Sequence, residues 1–371
     1  MAEQSVPGAT HADPTWAIDL ADVAKTYKGK IEALKGISMR IQQGEVFGLL
    51  GPNGAGKSTL VKILMTIIKP SRCQGTVLGH PVGSLQVLRR VGYLPEHHRF
   101  PNYLTGAQVL DFYAAMGEVP RRVRRKRIGE LLELVGMGDW GKTRVSKYSK
   151  GMKQRVGIAQ TLMNDPDIIL LDEPTDGVDP VGRRDIRNIL AELKARGKTV
   201  FLNSHLLSEL EMVCDRVAIL VHGQVAQQGT IDDLTAGKER YEIQLECDSP
   251  LQDQTCAALL RTIPLEPSQS NKRNADRFVL PSGPWVECEQ STLRIGTTDP
   301  ALIQPIIDVL RQQRVMIRSI KPLRPSLEDL FLEAVDDAQP DESEAPSPHQ
   351  KKSKTKRKNR KNKKNHRESQ A

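Results

Sequence analysis

Short apolar runs alternate with longer stretches of helical periodicity from Trp16 to about Ala236, the rhythm of an α/β domain. Val46-Phe47-Gly48-Leu49-Leu50 reads as a buried strand, and the Gly-rich turn behind it leads into a helix over 57–68. Residues 168–172, 199–203 and 216–221 read as further buried strands. Between 105 and 164 the pattern is helical with hardly any strand character, which predicts a helical subdomain inserted between strands. A second unit starts near Arg240. Residues 241–245 alternate as a half-buried strand, 256–261 look helical, and 264–276 are polar and Pro/Asn-rich, as in a loop. Strands over 292–295 and 315–320 and helices over 300–312 and 327–335 complete it. The expected organisation is a disordered leader over 1–16, an α/β domain over 17–236 with its helical insertion at about 105–164, and a small α+β domain over 240–335. An acidic linker and basic tail over 336–371, too polar to pack, are expected to be disordered.

Charge sharpens this division. The chain has 371 residues, a formal charge of +9 and only 38% hydrophobic residues. Residues 350–371 carry eleven Lys/Arg against one acid, Glu368, which leaves 43 basic and 44 acidic residues in the first 349. The body is therefore neutral and the basic character belongs to the tail, which excludes reading the whole protein as a nucleic-acid binder from its charge. No apolar run approaches the roughly 18–20 residues that span a bilayer. The first sixteen residues have neither a basic start nor an apolar core, so no secretion signal is expected. Five scattered cysteines (Cys73, Cys214, Cys247, Cys256, Cys288) lack metal-ligand or redox spacing and suit a reducing, cytosolic compartment.

The chemistry concentrates in two places. Gly51-Pro52-Asn53-Gly54-Ala55-Gly56-Lys57-Ser58-Thr59 fits the P-loop pattern, with a strand before it and a helix after it. Gly51, Gly54 and Gly56 let the backbone turn its N–H groups inward toward phosphate oxygens, and the helix N-terminus adds its positive end. Lys57 can reach β- and γ-phosphates, and the Ser58 hydroxyl suits Mg²⁺. Downstream, an apolar strand ends in Asp172 and Glu173. Asp172 at the strand end would hold the Mg²⁺ shell, and Glu173, turned differently, could accept a proton from an attacking water.

With these come the residues that carry a family resemblance. Tyr148-Ser149-Lys150-Gly151-Met152-Lys153-Gln154-Arg155, in which Ser149 follows Lys57 by 92 residues, resembles the signature sequence of ABC ATPases at the spacing of the transporter branch. Tyr27 matches the aromatic that stacks on adenine, Glu96 occupies the Q-loop position, Asp176-Gly177-Val178-Asp179-Pro180 resembles the D-loop, and Asn203-Ser204-His205 the switch histidine. The resemblance covers about 17–236 and implies a P-loop NTPase of the ABC ATPase type, with ATP and Mg²⁺ as cofactors. It further implies that two such domains close head to tail. ATP then lies between the P-loop of one chain and the signature of the other, where Ser149, Lys150, Gly151 and Met152 face it in trans. His205 would contact the γ-phosphate in cis, and Asp179 would line the interface. The second ATPase subunit is either an identical or a related chain.

Two departures from the family pattern stand out. The signature has Tyr148 for Leu, Lys150 for the first of two glycines and Met152 for Gln, and Lys150 is read either as a solvated lysine or as an extra attraction for phosphate. Glu96 replaces a glutamine, and an ionised carboxylate accepts hydrogen bonds without donating them. Gly92-Tyr93-Leu94-Pro95-Glu96 and Pro325-Ser326-Leu327-Glu328-Asp329-Leu330-Phe331-Leu332 both resemble the exporter branch related to drug, sodium and gliding-motility transporters. The resemblance thus implies the ATP-hydrolysing subunit of an exporter, peripheral on the cytoplasmic side of the cell membrane and working through a separate integral-membrane permease. The alternative is a soluble, non-transport ABC ATPase acting on ribosomes or RNA, supported by the tail alone. A third reading, an importer, would need a C-terminal domain built mainly from strands, and the helical patterns over 300–312 and 327–335 argue against it. His97 and His98 lack a further ligand nearby in sequence, and Arg121–Arg127 reads as a solvated helix face over buried Ile128, Leu131 and Leu132. The tail 350–371, free of aromatic residues, could serve solubility, anionic lipid or RNA.

Overall fold

The computed structural model describes residues 16–246, 266–267, 276–280, 283–289 and 291–337. Of the expected leader over 1–16, Trp16 instead opens a strand. Glu266–Pro267 of the expected loop over 264–276 pair in a sheet, and Asp336 and Asp337 of the expected tail over 336–371 close a helix. Most of the rest and the helical reading of 256–261 lie outside the described residues. Along the chain run β1 (Trp16–Tyr27), β2 (Ile31–Gln42), β3 (Val46–Leu50), α1 (Lys57–Leu64), β4 (Arg72–Val77), β5 (His80–Pro81) and β6 (Val91–Leu94). Three helices follow, α2 (Gly106–Met116), α3 (Arg121–Leu134) and α4 (Lys150–Thr161). Then come β7 (Ile168–Asp172), α5 (Pro180–Ala195), β8 (Thr199–Asn203), α6 (Leu207–Val213), β9 (Arg216–Val221), β10 (Gln224–Thr230) and α7 (Ile231–Thr235). The last part holds β11 (Arg240–Glu246), β12 (Glu266–Pro267), β13 (Asp276–Val279), β14 (Trp285–Glu289), β15 (Thr292–Ile295), α8 (Pro300–Gln312), β16 (Met316–Leu323) and α9 (Leu327–Asp337).

The central sheet has the order β10-β9-β3-β8-β7-β6, parallel except for the antiparallel edge strand β10. Every residue of β3, β7 and β8 is buried, which explains why these strands read as unbroken apolar runs: a parallel sheet is covered on both faces. Alternate residues serve two cores. Val46, Leu50, Ile169, Leu171, Val200 and Leu202 pack with the helical face of the sheet. Phe47, Leu49, Ile168, Leu170 and Phe201 pack with α1 and with a second sheet, β2-β1-β4-β5. From the sequence, that antiparallel sheet does not separate from the α/β rhythm: β1 pairs with β2 through repeated register shifts, although Ile37, Met39 and Ile41 of β2 alternate cleanly. Helix α1 ends at Leu64, four residues short of the expected end.

The segment between β6 and β7 is helical, as expected. Helix α2 opens with a capping box, the Thr105 hydroxyl accepting from the Gln108 N–H and the Gln108 side chain accepting from the Thr105 N–H. In α3, Leu131 and Leu132 are buried, but the basic run is not simply solvated. Arg124 pairs with Asp111 at 3.0 Å, and Arg127 reaches Asp165 at 3.1 Å and the Leu162 carbonyl at 3.2 Å.

The C-terminal region is β-rich: a six-stranded antiparallel sheet, β12-β13-β14-β15-β11-β16, with α8 on one face. Ile243, Leu293 and Ile295 of the sheet share a separate core with Ile303, Ile306 and Leu310 of α8. Helix α9, read from the sequence as the last element of this unit, instead buries Leu327, Leu330 and Ala334 in the core of the central sheet, beside Leu210 of α6. Its start is held by a reciprocal cap, the Ser326 N–H donating to Asp329 Oδ2 and the Asp329 N–H to Ser326 Oγ. Because Leu330 is fully buried, Leu330→Ala is expected to destabilise the full chain by about 2–5 kcal/mol. Urea unfolding checks this, and a change below about 0.5 kcal/mol would mean that α9 is not docked.

Candidate functional site

The parallel register decides where the chemistry gathers. Leu49 of β3 is level with Asn203 of β8, and Asn203 with Asp172 of β7, so three neighbouring strands end at one edge. Ligands of open α/β sheets bind beyond the carboxyl ends of the strands. A cavity of about 620 Å³ opens there, lined by Gly51–Thr59, Glu96, Asp172, Glu173, Asp176, Asn203 and His205, and also by Ala33, Leu207 and Phe331. That volume lies within the usual range of small-molecule sites.

One wall is the loop from Gly51 to Gly56. Gly56 has φ +109°, and a Cβ there would sit 2.5 Å from the Ala33 carbonyl oxygen, so only glycine lets the loop pass under β2 and enter α1. Lys57, the first residue of α1, is buried and donates to the Gly51 carbonyl at 2.5 Å and to the Pro52 carbonyl at 3.3 Å. Burial lowers its pKa, opposed by the nearby Glu173, Asp172 and Glu96 carboxylates. Tyr27 stands at the rim, its hydroxyl 3.4 Å from Thr59 Oγ1.

The opposite wall is acidic. Asp172 is buried, accepts a short hydrogen bond from Asn203 Nδ2, and has its pKa raised by desolvation. Glu173 follows with φ +52°, a left-handed conformation that a non-glycine residue adopts at a cost and that turns its carboxylate away from that of Asp172. Glu173 Oε2 lies 2.7 Å from His205 Nδ1 and also accepts from the His205 N–H at 3.3 Å. Desolvation raises the Glu173 pKa, against the opposing pull of His205. Asn203 Oδ1 is buried with no hydrogen-bond partner. Asp172 and Ser58 both line the cavity, and their carboxylate and hydroxyl are hard-oxygen donors that fit Mg²⁺, an ion usually held by few protein oxygens together with phosphates and waters. Among the described residues no group of three or more His, Cys, Asp or Glu could hold a metal by itself.

The expected trans residues do not reach this cavity within one chain. Ser149 caps α4 by accepting from the Met152 N–H at 3.2 Å, and Asp179 caps α5 by accepting from the Gly182 N–H at 2.9 Å. Gly151 and Met152 lie in the first turn of α4, next to the Val178 loop. Lys150 does not line the cavity and is not free: its Nζ pairs at 2.7 Å with Asp176, which does line it. His97 is exposed and its Nε2 stands 3.6 Å from Glu96, while the His98 pKa is lowered by burial. Sequence reasoning quoted Asp176 and Asn203 within motifs without giving them a place in the cavity, and missed Ala33, Leu207 and Phe331 as lining residues. For Phe331 the one signal was its place in the 325–332 motif.

Comparison with known proteins agrees with this geometry. The ABC transporter family profile matches residues 34–176. An ABC transporter ATP-binding protein of Nostoc sp. is 49% identical over 232 residues, covering 60% of this chain and 69% of the relative. The chain belongs to the ABC transporter ATP-binding proteins. A Nod factor export ATP-binding protein I of a Rhizobium species is 34% identical, covering 85% of this chain and 96% of its own. A dimeric ATP-binding cassette, solved in a post-hydrolysis state with ADP and Pi, superimposes with a TM-score of 0.53 at 28% identity, over 57% of this chain and 98% of that one. As an ABC ATPase the protein hydrolyses ATP for transport, so the alternative of a soluble, non-transport ATPase is set aside. No helix among the described residues is long and apolar enough to cross a membrane.

Since burial raises the Glu173 pKa, more of its carboxyl is protonated at a given acid pH than for an exposed glutamate. If it must be ionised to accept a proton, the rate falls on acidification at a higher pH than an ordinary carboxylate of about 4.3 would give. The pH profile of kcat/KM, which reports groups of the nucleotide-free chain, measures this limb, and an acid limb at or below the ordinary value removes Glu173 as its source.

Proposed function

We propose that this chain is the motor of an exporter, peripheral on the cytoplasmic face of the membrane and acting through a separate permease. The 17–236 domain is the ATPase and the β-rich region after 240 is accessory to it. The observation that carries the catalytic reading is the Glu173–His205 pair, 2.7 Å apart, across the cavity from the P-loop. In this reading the loop from Gly51 to Gly56 and Lys57 bind the phosphates, and Tyr27 stacks on adenine. Ser58 and Asp172 hold Mg²⁺, which neutralises phosphate charge when bound. Glu173 takes the proton of the water that attacks the γ-phosphate. His205 contacts that phosphate and keeps Glu173 oriented, while Glu96 accepts hydrogen bonds from waters near it.

Ser149 and the N-terminus of α4, with Gly151 and Met152, complete the site of a second copy or related subunit, and Asp179 lines the interface between them. The dimeric solved relative supports such a pairing. The export reading rests on the Nod factor export relative and on the Gly92-to-Glu96 motif. The tail over 350–371, with eleven basic residues, adds an electrostatic tether to anionic lipid.

Glu173→Gln is expected to bind ATP, form a stable nucleotide-bound dimer in size-exclusion chromatography and hydrolyse about 10²- to 10⁴-fold more slowly. Near-normal turnover excludes Glu173 as the base. Lys57→Ala is expected to abolish nucleotide binding, measured with a fluorescent ATP analogue, because the phosphates lose their main counter-charge. For the transport reading, the tagged chain purified from detergent-solubilised membranes should bring down a multi-spanning protein in near-equal amount. Recovery of ribosomal proteins or RNA without a membrane protein would reject it.

A further inference from the structure

One departure from the family pattern, Lys150 in the signature, finds its partner in the D-loop segment. Lys150 is the first residue of α4, where the helix already presents its positive end and where Lys147 and Lys153 add charge. A lysine there is electrostatically misplaced unless an acid compensates it. The acid is Asp176, at 2.7 Å, and it comes from the loop that carries Glu173 and lines the nucleotide cavity. The lysine stem crosses Gly177. A Cβ at Gly177 would stand 2.2 Å from Lys150 Nζ and 3.0 Å from its Cδ and Cε, and Gly177 has φ +61°. One turn further along the same face of α4, Gln154 is buried and its Nε2 donates to the Glu173 carbonyl at 3.2 Å. Helix α4 therefore grips the loop at both ends, at Glu173 and at Asp176, and Glu173 in turn holds His205.

We infer that the Lys150–Asp176 pair is a coupling strut: it ties the signature turn offered to the partner's nucleotide to the loop that senses the chain's own. Lys150 and Asp176 are positioning residues, since each acts through the segment it holds. The inference rests on the head-to-tail dimer proposed above. Both side chains are about half exposed, 56% for Lys150 and 47% for Asp176, so the pair adds little to fold stability. Its loss should show in communication between sites and leave the melting temperature in place.

The test is a double-mutant cycle on the full chain with Lys150→Met, Asp176→Asn and the pair combined, followed by ATPase rate against ATP concentration. Each single change is expected to lower kcat by about 3- to 30-fold and bring the Hill coefficient toward 1. The double variant should be no worse than the weaker single one, and the thermal midpoint should move by less than about 2 °C. The charge swap Lys150→Asp with Asp176→Lys should recover part of the cooperativity. Additive losses, an unchanged Hill coefficient, or a fall in melting temperature that accounts for the lost rate would each overturn the strut. ATP-dependent dimerisation of Glu173→Gln separates the two readings. If that dimer forms and the cycle is additive, only the strut fails; if no dimer forms, the dimer reading fails and the strut with it.

Discussion

The register of three parallel strands carries the rest of this structure. Leu49, Asn203 and Asp172 are level across β3, β8 and β7, and the P-loop, the switch loop and the acidic loop all leave from those ends. A slip of one residue would turn every side chain of a strand to the opposite face. It is prevented because both faces are buried: Val46 and Leu50 fit one core, Phe47 and Leu49 the other, and the Phe47 and Phe201 rings stack at 6.0 Å on adjacent strands. Packing on two sides thus fixes the positions of charged groups that do not themselves pack.

Those groups are held under electrostatic tension. Asp172 and Glu173 are desolvated beside each other, with Glu96 and Asp176 around the same cavity and Lys57 turned to the carbonyls of its own loop. Desolvation raises the pKa of both buried carboxyls and lowers that of the lysine, and their bonds to Asn203, His205 and the loop carbonyls offset this only in part. The left-handed backbone at Glu173 adds strain at the same point. Such an arrangement is unfavourable for a protein at rest and suited to one that binds phosphates and cations, in keeping with the trade of stability for function at active sites.

Among the described residues the C-terminal region meets the motor through its last helix and through Arg324 just before it, which bonds to Thr235 and Asp232 of α7. Its sheet and α8 have a core of their own, whereas α9 returns to the central core beside α6, the helix that follows the switch histidine. Phe331 of α9 and Leu207 of α6 both line the nucleotide cavity. Ion pairs of Arg240 with Asp329 and Lys238 with Glu333 fasten the same helix to the chain leaving α7. The accessory region and the switch loop therefore share a packed contact rather than a flexible linker alone.

The sequence by itself determined the family, the P-loop, the acidic strand end and the main buried strands, because each is a local pattern: glycine spacing, a lysine–serine pair before a helix, or an apolar run of strand length. The legible part of the site is the part made from contiguous residues. The tertiary structure alone decided that β1, β2, β4 and β5 form a separate antiparallel sheet, since a strand's alternation does not name its partners, and the destination of α9, whose apolar face would suit either core. It alone decided that Ala33, Leu207 and Phe331 meet at one cavity. It also gave Lys150 its partner, since a salt bridge between residues 26 apart has no spacing rule in the chain. Local patterns are written in order along a sequence, and contacts between distant segments exist only once the cores have set the segments side by side.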